Sequence, residues 1–131
     1  MTSPAQQWWR SLFPTEAVDA RQFGHRDHVR LAYRLLSQND FIDAAAAYAR
    51  GIQELATEAG APEKFNLTIT YAFMSVIAER MARKESTDVD EFLSANPDLL
   101  NKNFLIQLYP DDRLQSDLAR QSFLLPSLAA S

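Results

Sequence analysis

Apolar residues recur along this chain at three- and four-residue intervals, and that period predicts helices. The strongest case is Leu67, Tyr71, Met74, Ile77 and Met81, a stripe widened by Phe73 and Val76, so a core-facing helix is expected over 65–84. A second helix is expected over about 25–37, where Val29, Ala32 and Leu36 share one face flanked by Leu31 and Leu35. Asn39 and Asp40 open a third, over 41–59. Its Ala44 to Ala47 run and Gly51 form a small-residue surface that another segment can approach closely, and Gly60 followed by Pro62 ends it.

The flanking segments are shorter. Ser3 and Pro4 start a helix over 4–13 that Pro14 stops, and Thr15 caps a turn over 16–21. Thr87 with Asp90 resembles a capping arrangement for a short helix running to about 95, broken by Asn96-Pro97. A further helix is expected over 99–108, then a turn at 109–112 and a last helical stretch over 113–120. Pro126 and the Ala/Ser end read as a tail, with residues 1–3 and about 121–131 peripheral. No run of alternating β-branched residues bounded by turns interrupts this order. The expected fold is all-α: one domain over 1–131, a bundle of about five to seven helices with short connections.

Composition narrows the function more by exclusion than by suggestion. With 131 residues, one domain can bury a sizeable core without staples. The lack of cysteine removes disulfides and thiolate metal sites, and fits a reducing cytoplasm, the expected location. No stretch reaches the roughly 18 apolar residues of a membrane span, and no secretory signal is readable, so no membrane partner is expected. A net charge of −4 and scattered basic residues oppose nucleic-acid binding. No phosphate loop, dinucleotide fingerprint, calcium loop or hydrolase context occurs.

What remains is the position of the only two histidines, His25 and His28, at one helix start with Asp27 between them and Arg30 beyond. Imidazoles at i and i+3 project from the same side of a helix. They suit two ligands for one divalent metal, with His25 and His28 as its ligands, or a base and a helper acting on one substrate. Asp27 lies about 100° around the helix from His28, so it reads as an orienting or dipole-pairing carboxylate. The 65–84 helix offers an opposing wall: Asn66 and Thr68 at its start to orient a substrate, and Glu79 as a carboxylate base or ligand. Arg120 could clamp a carboxylate or phosphate. Each of these also has a structural reading. The histidines can cap backbone or pair with carboxylates, the Thr68–Ser75–Glu79 stripe can be a solvated face, and the tyrosines, Tyr48 included, can be core residues with wet hydroxyls. Trp8 and Trp9 cannot both point inward, so one of them is the core anchor.

The run Phe23-Gly24-His25-Arg26-Asp27-His28-Val29-Arg30-Leu31-Ala32 resembles the opening signature of a group of small bacterial all-helical proteins. Lys64 to Thr70, Asn96 to Leu100 and the end from Ser116 to Pro126 do so as well, so the resemblance spans nearly the whole chain. It implies a helical fold and no activity. Proteins of that group often carry a histidine where this chain has Asn66, a far poorer ligand. Either this chain is altered in activity, or the metal reading is wrong for the group as a whole.

Two functions follow. The first is a small-molecule site, catalytic or simply binding, built around the His25/Asp27/His28 helix start and the 66–79 helix. The second is a non-catalytic interaction module, with Trp8-Trp9, the small face from Ala44 to Gly51 and Phe123-Leu124-Leu125 forming a homodimer or partner surface.

Overall fold

The computed structural model describes residues 8–13, 23–83, 88–101, 103–110 and 112–126. It is all-α: five α-helices and short 3-10 turns, with no strand among the described residues. The chain divides into two compact units, Met1–Phe65 and Asn66–Ser131. Among the described residues, no helix is long and apolar enough to cross a membrane.

In the first unit, α1 (His25–Gln38) and α2 (Phe41–Glu58) pack against each other across the two-residue link Asn39-Asp40. The link is held by its own side chains. Asn39 Nδ2 donates to the Leu35 carbonyl (3.1 Å), and the Asp40 carboxylate accepts from the Asp43 N–H (2.8 Å), satisfying free groups at two helix ends. On α1 the expected stripe is buried at Val29, Leu31, Ala32 and Leu35. The end of α2 is a Schellman motif. Gly60 takes a left-handed φ of 77°, its N–H donates to the Thr57 carbonyl, and the Ala61 N–H reaches back to the Ala56 carbonyl. This reversal folds the 3-10 turn Pro62–Lys64 back onto α2.

The small-residue surface of α2 is occupied. The 3-10 turn Trp8–Ser11 packs on α2, and the Phe13 ring lies against Gly51 so closely that a Cβ there would fall 1.9 Å from the ring. Trp9 and Phe13 are buried with their rings edge-on, while Trp8 is exposed, as two adjacent tryptophans require. Arg10 lies over the Trp9 ring and donates two hydrogen bonds to Glu54. The expected helix over 4–13 is thus a 3-10 turn within its described part. Residues 4–7, and the turn expected over 16–21, lie outside the described residues.

The second unit is organised along α3 (Leu67–Arg83), whose Thr68, Ala72, Phe73, Met74 and Ile77 are buried. α4 (Val89–Ala95) is capped by Asp88, whose carboxylate accepts from the Glu91 N–H; Thr87 lies outside the described residues. The single helix expected over 99–108 is replaced by two 3-10 turns, Pro97–Leu100 and Phe104–Gln107. The cause is local: Asn101 adopts an extended backbone and its side-chain oxygen accepts from the Asn103 N–H, an Asx turn that competes with helical bonding. Similarly, the stretch expected over 113–120 breaks at Ser116, which is extended and caps α5 (Asp117–Gln121) through its hydroxyl, leaving Arg113–Gln115 as a separate turn. Arg80 ties α3 to the turn before it ends, donating to both Asp98 oxygens and to Asn96 while lying over the Phe104 ring.

Residues 121–126, expected to be peripheral, lie mostly exposed at the surface and are held there by hydrogen bonds. Thr68 is fully buried, its hydroxyl donating to the Ser122 carbonyl (2.6 Å) and accepting from the Leu124 N–H (3.1 Å). The Tyr109 hydroxyl donates to the Leu124 carbonyl and Arg113 Nε to that of Leu125. Thr68→Val removes both hydroxyl bonds and is expected to destabilise the protein by about 1 kcal/mol, because Ser122 is exposed and can rehydrate. The specific readout is the Leu124 amide, which should exchange with solvent markedly faster in Thr68→Val and at the wild-type rate in Thr68→Ser. Equal exchange in all three would show that Thr68 does not hold this segment.

Candidate functional site

Of the polar residues that the sequence singles out, His28 lines a cavity of the first unit. It sits one turn into α1, half-buried, where burying the helix's apolar stripe turns it toward α2. Its Nδ1 lies 3.0 Å from the hydroxyl of Tyr48, a buried residue in the middle of α2. The Phe23 ring covers the imidazole, with ring centroids 4.6 Å apart. Burial holds the His28 pKa down, to about 4, and the neighbouring His25 pushes the same way, against a smaller opposing effect of the Asp27 carboxylate. Burial likewise raises the Tyr48 hydroxyl well above its ordinary range. The pair is therefore neutral at pH 7: an imidazole and a phenol joined by one hydrogen bond.

The cleft beside it has a volume of about 550 Å³, in the range of ordinary small-ligand sites. Its walls come from three pieces of the first unit. Phe23 and His28 line it from the start of α1, and Ile52, Leu55, Ala56 and Ala59 from one face of α2. Ala61, Lys64 and Phe65 close it from the turn that the Gly60 motif folds back. The described lining residues are thus apolar or aromatic apart from His28 and Lys64.

The other residues proposed for the site have different places. Asp27 uses one carboxylate oxygen to accept from the Gly24 N–H (3.0 Å), closing the first turn of α1. His25 is the first residue of α1, half-buried and near enough to His28 to act on its protonation. Arg30 lies two positions past His28, about 200° around the helix, so it leaves from the opposite side. The remaining four are engaged within the second unit. Asn66 accepts from the Ile69 N–H and donates to the Leu114 carbonyl, capping α3 and holding the 113–115 turn. Thr68 secures residues 122–124, Glu79 pairs with Arg83 on the exposed side of α3, and Arg120 pairs with Asp117. Among the described residues no three His, Cys, Asp or Glu side chains come together to hold a metal ion, so the divalent-metal reading of His25 and His28 gains no third ligand.

Tyr48, Lys64 and the apolar lining from Ile52 to Ala61 and Phe65 are site residues that the sequence did not place there. One signal exists for the α2 residues: positions 48, 52, 55, 56 and 59 fall on one helical face, and Tyr48 is its only polar-tipped member. No protein-family model, curated protein or solved structure matches the chain.

Proposed function

We propose that this protein binds a small organic molecule in the cleft of its first unit, with His28 as the polar anchor and Tyr48 fixing that imidazole from behind. The observation that carries this reading is the His28–Tyr48 bond at the wall of a cleft whose described side chains are mostly apolar. Core polar pairs are ordinarily sealed by side chains on every side. Here a neutral, pre-oriented ring faces a cavity large enough to be filled, the usual design of a pocket with a few convergent polar groups.

The test is a fragment screen by ligand-observed NMR on the wild-type protein and on Ala56→Trp, in which an indole fills the cleft from its α2 wall. Hits are expected on the wild type and should weaken by at least about tenfold in the filled variant. Hits that bind both proteins equally would place binding elsewhere and sink the proposal.

The interaction-module reading keeps one supporting observation. Phe41 and Ile42 open α2 with large exposed apolar surfaces, Ile42 at 76%. A mass that rises with concentration in light scattering, and falls back in Ile42→Glu, would favour it.

A further inference from the structure

The proton on His28 can be placed. The Tyr48 hydroxyl is buried in mid-helix, where a tyrosine cannot reach its own backbone, and a buried hydroxyl left without an acceptor loses more than a hydrogen bond gains. The acceptor within reach is His28 Nδ1, at 3.0 Å. With Nδ1 accepting, a neutral imidazole carries its proton on Nε2, so His28 offers a ligand an N–H and not a lone pair. The second polar group of the described lining is Lys64, which also only donates. No carboxylate, amide or hydroxyl side chain joins them among the described lining residues. Such a cleft satisfies a ligand whose polar atoms accept. A cationic ligand meets Lys64 and, among the described lining residues, no carboxylate. A sugar or polyol brings donors that find no acceptor side chain. A phosphate needs more donors than two to replace its hydration. One ammonium and one N–H match the two oxygens of a monoanionic carboxylate.

We propose that the ligand of this cleft is a carboxylic acid with an apolar body: Lys64 and the His28 Nε2–H take the carboxylate, and Phe23, Leu55 and Phe65 enclose the body. This rests on the reading of the cleft as a small-molecule site, and it names the chemistry of what enters.

The experiment uses the full chain and probes differing only in the head group: octanoate and 4-phenylbutyrate, their primary amides, and octylamine, titrated calorimetrically at pH 7. At least one acid should bind about tenfold or more tighter than its amide, with the amine weakest. The better of the two acids identifies an aliphatic or an aromatic body. Lys64→Gln should bring acid and amide to within about threefold of each other without weakening the amide, and Lys64→Arg should restore the preference. Long-range 1H–15N spectra give a second readout, in which the acid should move the His28 Nε2 resonance and leave Nδ1 at its acceptor position. If amide or amine binds as tightly as acid, the carboxylate assignment is wrong and the cleft remains a ligand site. If no probe of any charge binds, both the assignment and the small-molecule reading fall.

Discussion

Lowering the pH from 7 to 4.5 is expected to cost the wild-type protein about 2 kcal/mol more stability than it costs a His28→Gln variant. The folded protein holds His28 at about 4, whereas the ordinary value is 6.5. A folded value below the unfolded one means that the unfolded chain binds the proton more tightly. The contribution is therefore complete above pH 6.5 and is lost as pH falls toward 4, where it levels off after a total of roughly 3 kcal/mol. Among the described residues, two charged or titratable groups act on the ring. His25 opposes protonation and Asp27 favours it, both from α1. Tyr48, on α2, stays neutral throughout this range because burial raises it. Lys64 lines the same cleft. Carboxylates such as Asp98, which Arg80 holds below the usual range, also weaken the fold in acid. They do so equally in both proteins, so the difference between the two pH profiles isolates His28. The readout is urea unfolding followed by tryptophan fluorescence, since both tryptophans, Trp8 and Trp9, lie in the first unit with His28. Parallel profiles would mean that His28 is solvated in the folded state and that the neutral imidazole assigned to the cleft wall does not exist.

The parts of the fold that were legible in the sequence are those with local causes. The α3 helix, the Asp40 cap and the Gly60 stop are each written within a few residues and stand where the pattern puts them, with Phe73, Met74 and Ile77 of the expected α3 stripe buried. The failures come from competition between two local signals of similar strength. Leu99, Leu100, Phe104 and Leu105 read as one helix, but the Asx turn at Asn101 divides them. The polar stripe on α3 splits for a reason no local pattern holds: Thr68 is covered by residues 122–124, some 54 positions away in sequence, while Ser75 and Glu79 stay exposed. His28 was legible because histidine is rare in this chain. Its partner was not, because Tyr48 carries the pattern of an ordinary core residue and only folding brings the hydroxyl to Nδ1.

Gly51→Ala is expected to destabilise the protein by about 2 kcal/mol, the opposite of what helix propensity alone dictates. A glycine in a helix interior is worse than alanine by about 1 kcal/mol, so the substitution should stabilise α2 wherever space allows. Here it does not: an added Cβ would lie 1.9, 2.1 and 2.5 Å from three atoms of the Phe13 ring. The ring is buried at 4% exposure and stands edge-on to Trp9, so it cannot yield by a small rotation and must leave its place. Losing that burial costs about 3 kcal/mol, which outweighs the propensity gain. The same geometry makes the sign reversible. In a Phe13→Ala background the obstacle is gone, so adding Gly51→Ala should then raise stability by up to about 1 kcal/mol. The cycle is read by urea unfolding, with Trp9 emission reporting whether its ring becomes solvated in the single Gly51→Ala variant. If Gly51→Ala stabilises both backgrounds equally, residues 8–13 do not pack on α2 through Gly51. The small-residue face from Ala44 to Gly51 would then be open surface, available to a partner, and not the seat of this segment.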